Sequence, residues 1–479
     1  AHRRSSGIQR CAVGVLIGIL ASVAFAGSED LADRAAEAFE SGRHGEARAL
    51  YEKMVQRDPR DEVAQYNLAC ALAQLGELDR AGEALLEAVS VGFSRFHEMR
   101  RDTSLEPLRE HSTYTRIVAN VPEILDARGE AEFDALSDRV SSGYETARDA
   151  RLRLNYASAV DDESFAFARE EIVRVAAWVE GHLFVLPDDR GMDPWVSVIL
   201  PTPEDFFKLV RGARTVGGYY DRGMRRLVSQ DTGPTLRHEF FHVLHDRHQA
   251  RLGQTHPHWV REGLASLLED VERSSEGTFR VMPSWRTNSA KRLAGTTAFP
   301  PIEHVASLSR ERFVRLRPRA NYALSRSFFM FLLDQGELGA WYGAYTETFA
   351  EDPTGVLAIE RVLDASMREV NRDFREWLRA LPEVGEKRHP GEASLGVDVR
   401  AGSGSGPVVS ISVRDWKRGG VTELKSRDVI KGIDGREVRS IDDLHRILGS
   451  HEPGELVTVR ISRWSEEMDV RVRLVRYDR

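Results

Sequence analysis

The sequence predicts a multidomain α+β protein, and three observations carry that prediction. Residues 29–95 are rich in Ala, Leu, Glu and Arg, almost without Pro or aromatics, and repeat themselves at an offset of 34 residues, which reads as all-α helical repeats. The middle of the chain mixes strand-like runs such as Trp195-Val196-Ser197-Val198-Ile199-Leu200 with longer helical patterns. From Ala393 the pattern turns to short alternating runs broken by Gly and Pro, which reads as a mainly-β module.

Length and composition agree. A chain of 479 residues suggests two to four domains. With 30% charged and 41% hydrophobic residues it is neither a polytopic membrane protein nor too poor in apolar groups to bury a core. Its 67 basic and 75 acidic residues give a net charge of -8, so no basic excess exists to hold a phosphate backbone and no nucleic-acid partner is expected.

Residues 1–26 read as a secretory signal. Arg3, Arg4 and Arg10 form a positive n-region, Cys11–Ala26 is apolar, and Ala24-Phe25-Ala26 is a small-x-small cleavage site before Gly27. The apolar run of 16 residues is short of the ~20 that span a bilayer. Export to a bacterial periplasm or the medium, with no membrane contact after cleavage, is the expectation; a retained membrane anchor is the alternative. Cleavage removes Cys11 and leaves Cys70, so no internal disulfide is possible; Cys70, between Ala69 and Ala71, reads as a small buried hydrophobe.

In the repeat, Ala35 aligns with Ala69, Gly42 with Gly76, Ala47 with Ala81 and Tyr51 with Leu85. Each unit reads helix, turn at Gly, helix, and this resembles a pair of tetratricopeptide repeats within residues 27–128. Solenoids need about three units, so the helices from Leu105 to Leu125 are expected to cap the stack. The repeats are either a groove for a protein partner or a spacer.

Residues 129–381 hold the chemistry. Pro234 suits a first helical turn, and His238-Glu239-Phe240-Phe241-His242 follows it. On a helix both histidines share one face and reach one metal ion, with Glu239 beside them to take a proton from a water that the ion activates. His256-Pro257-His258-Trp259-Val260-Arg261-Glu262-Gly263-Leu264-Ala265 opens a second helix, with Glu262 20 residues after His242. These two motifs resemble the gluzincin metallopeptidases, and Trp-x-x-Glu-Gly-Leu-Ala is similar to their peptidase MA-like branch; the likeness covers roughly residues 130–380. It implies a thermolysin-like α+β core and one zinc ion per chain held by His238, His242 and Glu262. A rival third ligand is His248, where metzincin peptidases place a histidine. That pattern needs a left-handed glycine three residues after the second ligand, and His245 stands there, so Glu262 is preferred. His245, His248, His256 and His258 are then expected at the surface or rim. Ser266 stands where the thermolysin-type pattern has an acid that orients a ligand histidine; Glu269 and Asp270 are candidates for that part.

The flanks fit. Pro203–Phe207 reads as a helix, and Gly217–Asp221 with Arg226–Ser229 as a hairpin turning at Arg222-Gly223. The resemblance implies that Gly218, Tyr219 and Tyr220 form a sheet edge pairing with extended substrate; otherwise the hairpin is an ordinary one. Tyr322 begins an apolar helix at a distance past the metal motif where several zinc aminopeptidases place an oxyanion donor; the alternative is a tyrosine with its hydroxyl in solvent. Helices are expected around Trp341–Tyr345 and Val370–Leu381.

Residues 382–392 read as a linker. Residues 393–479 resemble a bacterial PDZ domain: Ser394-Leu395-Gly396-Val397, the run Val408–Val413, Arg427–Ile433, the turn Asp434-Gly435, and Val457–Ser462 occur in order. The resemblance implies that the amides of the Ser394–Val397 loop hold a peptide's terminal carboxylate. Lys425-Ser426-Arg427-Asp428 departs from it by lacking a Gly before the Asp.

The reading is therefore an exported zinc peptidase acting on peptide or protein substrates, flanked by interaction modules. A non-catalytic scaffold around a peptidase-like core is the alternative, disfavoured by the intact Glu239; hydrolysis of a non-peptide amide uses the same chemistry. We expect N-terminal sequencing of exported protein to begin at Gly27; a membrane fraction retaining Cys11–Ala26 is the contrary outcome.

Overall fold

The computed structural model describes residues 29–137, 139–187, 191–210, 217–273, 277–384, 393–400, 406–410 and 423–477. The expected signal segment, most of the expected linker and residues 411–413 of the expected Val408–Val413 strand lie outside the described residues. The described parts of 1–131 and 189–194 form one compact unit, and those of 132–188 and 195–479 a second.

The first unit is helical. α1 (Glu29–Glu40) and α2 (His44–Arg57) form one hairpin, and α3 (Glu62–Gln74) and α4 (Leu78–Val91) the next. The repeating alanines Ala35, Ala47, Ala69 and Ala81 are all buried, which lets the helices pack closely, and Gly42 and Gly76 turn the chain at φ +73° and +76°. After α5 (Phe96–Arg101), the 3₁₀ turn Thr103–Leu108, α6 (Ser112–Ala119) and the start of α7 (Val121–Ser137) add Leu105, Leu108, Ile117, Val121 and Leu125 to the same apolar core, closing the stack as expected. Cys70 is buried but is not purely apolar: its thiol points at Asp102 Oδ2 from 3.6 Å, and the Tyr66 hydroxyl donates to the same oxygen at 2.7 Å. The buried Asp102 also caps the 3₁₀ turn through Ser104 N–H, a partner set visible only once α3 and the later turn are packed together.

The second unit opens with a five-stranded sheet of β1 (Glu145–Asp149), β2 (Leu154–Ser158), β3 (Val196–Leu200), β4 (Gly218–Asp221) and β5 (Arg226–Ser229) in the order β1-β2-β3-β5-β4. β2, β3 and β5 run parallel, while β4 folds back antiparallel on β5 and forms one edge. α8 (Asp162–His182) and α9 (Pro203–Leu209, capped by Thr202) connect the strands. α10 (Pro234–Leu252) packs on α8 and on β4, and α11 (His258–Leu267) packs on α10. A small ribbon, β6 (Val271–Arg273) with β7 (Phe279–Val281), leads into a helical half. That half comprises α12 (Trp285–Ala294), α13 (Ile302–Ala306), α14 (Arg310–Arg315), α15 (Pro318–Asp334), α16 (Leu338–Thr348), α17 (Val356–Leu363) and α18 (Met367–Ala380). One apolar core joins the sheet to these helices, so the middle region is mixed α/β.

The C-terminal region is β-rich. β9 (Asp398–Arg400), β10 (Val408–Ser410), β11 (Val429–Ile433), β13 (Leu456–Arg463) and β14 (Glu466–Arg473) form one sheet with β12 (Arg436–Glu437) beside β11, and β8 (Ala393–Ser394) pairs with β15 (Val475–Arg476). Asp434 and Gly435 turn at φ +48° and +78°, both left-handed, as the Asp-Gly pair predicts. The module docks on the mixed α/β region through Lys431–Glu163 and Arg446–Glu272, each 3.0 Å, and through Arg439 stacked over Phe167 at 3.9 Å.

The missing glycine has a structural consequence. Arg427 itself takes φ +75°, and the turn is held by buried Asp428, which accepts from Lys425 N–H at 2.6 Å and forms a two-bond pair with Arg463. A non-glycine residue pays ~1 kcal/mol for that conformation. Arg427→Gly is expected to stabilise this module by about 0.5–1 kcal/mol, read as a shift of its unfolding midpoint in the full chain.

Candidate metal centre

α10 is fixed from below. Leu236, Phe240, Val243 and Leu244 are buried in the shared core, which turns His238 and His242 together toward α11. The helix does not break at His245 but runs on to Leu252 and ends in left-handed Gly253 (φ +71°). His248 therefore stays on the helix and stacks on Phe184, with ring centroids 4.0 Å apart, so it is not a ligand to the group formed by His238, His242 and Glu262.

α11 supplies Glu262, and Gly263 beside it explains why the helix comes so near. A Cβ at 263 would stand 2.7 Å from the Phe329 ring and 2.9 Å from Ser325 Cβ, so only glycine lets α11 lie this close to α15. The three side chains converge: His238 Nε2 to His242 Nε2 is 3.2 Å, His238 Nε2 to Glu262 Oε2 3.5 Å, and His242 Nε2 to Glu262 Oε1 3.6 Å. An ion ~2.0–2.1 Å from each of four tetrahedral donors separates those donors by about 3.3 Å, so two imidazoles and a carboxylate at these spacings suit zinc. Electrostatics agree. Burial opposes charge on both imidazoles, yet Glu262 and Glu269 push His238 up to about 10, while burial pushes His242 down to about 3. The carboxylates around the pair thus favour positive charge at this point, which is what a bound cation supplies. Despite burial, the histidines hold Glu262 well below the usual carboxylate range.

The orienting acid that Ser266 does not provide comes from Glu269, just past the end of α11. Its Oε1 lies 2.9 Å from His238 Nδ1. Arg286 grips it with Nε and Nη2 at 2.7 and 2.9 Å, and despite burial that cation holds Glu269 at about 2. Asp270 instead faces Arg326 at 3.6 Å.

Glu239 turns toward the sheet edge. The Tyr220 backbone N–H, on the side of β4 away from β5, donates to Glu239 Oε2 at 2.9 Å. Burial raises the pKa of Glu239 above the ordinary carboxylate value, only partly offset by His238. Gly218 permits the contact: a Cβ there would meet Thr235 Cγ2 at 2.5 Å and Glu239 Cγ at 3.3 Å. Tyr219 is exposed and Tyr220 half-buried. Tyr322 lies in the second turn of α15 rather than at a helix start in solvent; its hydroxyl is 3.4 Å from His258 Nε2, and burial with nearby Glu262 raises its pKa.

Two of the other histidines depart from the expected rim. His245 and His256 are buried, with His245 Nε2 2.8 Å from His256 Nδ1. Their tautomers follow from the chain of partners. Gln254 Nε2 donates to the Thr346 carbonyl at 2.7 Å, so its Oε1 accepts from His256 Nε2–H at 3.0 Å, and His256 Nδ1 must accept from His245 Nε2–H. Both rings are neutral, in keeping with the burial that lowers their pKa values. His258 is half-buried, 3.8 Å from Glu262. The loop Ser394–Val397 belongs to the C-terminal module and not to this centre. Leu395 and Val397 point into that module's core, Gly396 turns at φ +74°, and its N–H donates to Ser394 Oγ at 3.2 Å.

Sequence reasoning missed Arg286, the Tyr220 amide and the reason for Gly263, and left Glu269 as one of two candidates. No local spacing marks them, because each depends on which element folds over the two helices.

Two family models match the chain: residues 38–93 match the tetratricopeptide repeat and residues 393–474 the PDZ domain. The chain thus carries two kinds of protein-interaction module. A segment of 51 residues is 41% identical to the serine protease Do-like HtrA of Lactobacillus helveticus, covering 11% of this chain and 12% of that protein. Among solved structures, the aminopeptidase N family protein from Idiomarina loihiensis aligns over 70% of this chain and 67% of that one, at 14% identity and a TM-score of 0.27, too low to mark a shared fold.

We expect Glu262→Ala to strip zinc from the chain while His248→Ala leaves it, and Glu269→Gln to weaken zinc about 10–100-fold, all read by metal titration. Loss of zinc in His248→Ala with retention in Glu262→Ala would overturn the ligand set.

Proposed function

We propose that this chain is an exported zinc metallopeptidase whose centre is His238, His242 and Glu262 with Glu239 as general base. The observation that carries the reading is the convergence of three donor side chains at 3.2–3.6 Å from two successive helices, with a separate half-buried carboxylate beside them. Zinc, when bound, lowers the pKa of a coordinated water to about 7 and polarises a carbonyl.

The chain's own residues do the rest. Glu239, its carboxylate steadied by the Tyr220 N–H, accepts a proton from the attacking water and hands it to the leaving amine. Its raised pKa makes it a stronger base than an exposed carboxylate. Tyr322, its hydroxyl 3.4 Å from His258 Nε2, is the residue we assign to donate to the developing oxyanion. The outer edge of β4, with Gly218, Tyr219 and Tyr220, offers a strand for an extended substrate to join. The repeat and PDZ modules tether protein substrates or partners and so raise their concentration near the centre, with the Ser394–Val397 loop as the site for a chain terminus.

Those same modules are the observation favouring a scaffold, and one variant separates the two readings. Glu239→Gln keeps size and zinc but cannot accept a proton, so hydrolysis of a mixed peptide library should fall 10²–10⁴-fold. A loss below about tenfold, or no hydrolysis by the native zinc-loaded chain, sinks the catalytic reading.

A further inference from the structure

We propose that the segment 310–319, at the rim of the metal centre, is a recognition site for acidic stretches of the polypeptide substrate. The inference deepens the peptidase reading and rests on it for the word substrate. Arg310, Arg312, Arg315, Arg317 and Arg319 stand within ten residues against a single acid, Glu311, in a chain whose net charge is -8. All five arginines are exposed. Arg315 pairs with Glu311 at 2.6 Å; the side chains of the other four make no hydrogen bond or ion pair with any described residue. Like charges so close together repel, and a carboxylate-rich ligand relieves that repulsion.

The cluster is fastened to the centre. Phe313, its one buried residue, packs edge-on against His258 and Tyr322, with ring centroids at 5.0 and 5.1 Å, and both of those rings stand beside Glu262. Arg310 lies near enough to Tyr219 on the β4 edge to act electrostatically on its hydroxyl. Phe313 therefore fixes the segment beside His258, Tyr322 and Glu262, so that its arginines stand at the rim of the centre. The backbone is set in advance: Asn321 Nδ2 donates to the Phe313 and Leu316 carbonyls at 2.8 and 2.7 Å, and Arg317 is held at φ +54°. A pre-formed loop loses little entropy on binding, and guanidinium groups take carboxylates through two parallel bonds. The apolar surface offered is only Val314 and Leu316, 40% and 53% exposed, too little to bury in a lipid surface, and the acidic chain as a whole repels nucleic acid.

The test uses the full zinc-loaded chain and two peptide libraries with one randomised core, flanked by Asp-Glu or by Gln-Gln. The acidic library should be cleaved with kcat/KM about tenfold higher at low salt, the preference shrinking toward one near ~0.5 M salt. Arg312→Gln with Arg317→Gly and Arg319→Gln should bring the ratio toward one, while the corresponding Arg→Lys triple variant keeps most of it. A ratio near one in the native chain, or one unchanged in the neutral variant, overturns the proposal. Anisotropy of a labelled acidic peptide on the Glu239→Gln chain reads recognition without turnover. Arginine-dependent binding there supports the rim even if nothing is cleaved, in which case only the peptidase reading fails. Tighter arginine-dependent binding to phosphatidylglycerol vesicles than to the peptide assigns the rim to lipid and overturns the proposal.

Discussion

Three carboxylates and two imidazoles crowd around one point, His242 buried and the others half-buried, and the fold is organised to keep that charge solvated by protein. An ion removed from water costs several kcal/mol even after relaxation, unless partners replace the lost solvent. Arg286 neutralises Glu269, the Tyr220 amide holds Glu239, and the histidines hold Glu262. Further arginines close the frame around the C-terminal end of α11, whose last carbonyls have no helical partner. Arg237, next to His238, donates to the Leu268 and Glu269 carbonyls at 2.6 and 2.8 Å and pairs with buried Glu171 of α8. Arg326 of α15 donates to the Ser266 and Met282 carbonyls at 2.8 and 2.7 Å. Each of these guanidinium groups satisfies a helix end and ties it to a neighbouring helix. The position of Glu262 is therefore over-determined by α8, α10 and α15 together.

This explains what the sequence made legible. The metal helix, the glutamate that follows it, the repeat of 34 and the Asp-Gly turn are properties of spacing along one element or between adjacent ones, and each is read from a few residues. Glu269 and Arg286 are 17 positions apart and meet only because α12 folds back over the end of α11. The burial of His245 and His256 was misread for the same reason. Their polar rings suggest surface, but Phe184, Tyr342 and Tyr345 arrive from distant parts of the chain to cover them. Cys70 and Arg427 differ from expectation more locally: a buried carboxylate gives the thiol a partner, and an Asp–Arg pair holds a turn that glycine would have made without strain.

Two glycines show how backbone approach defines the cleft. Gly263 lets α11 settle on α15 and brings Glu262 to the histidines; Gly218 lets β4 settle on α10 and brings the Tyr220 amide to Glu239. Both stand one or two residues from a group that acts in the proposed chemistry. A methyl group at 263 moves Glu262 by pushing α11 off α15, and one at 218 presses on Glu239 itself.

The C-terminal module reaches this frame through α8 and through β6. β6 leaves Asp270 directly; its Glu272 pairs with Arg446 of the module, and its Arg273 pairs with Glu171, the acid that also holds Arg237. These pairs differ in strength. Glu163 and Glu272, the acids on the docking surface, are exposed, and pairs of that kind contribute about 0–1 kcal/mol each. The Glu171–Arg237 pair is buried, so breaking it costs more than breaking an exposed pair. The module's exposed-acid pairs are therefore weaker than the buried pair, while the geometry of the centre is fixed by the core beneath it. The arrangement of His238, His242 and Glu262 thus rests on the core and not on the module's docking.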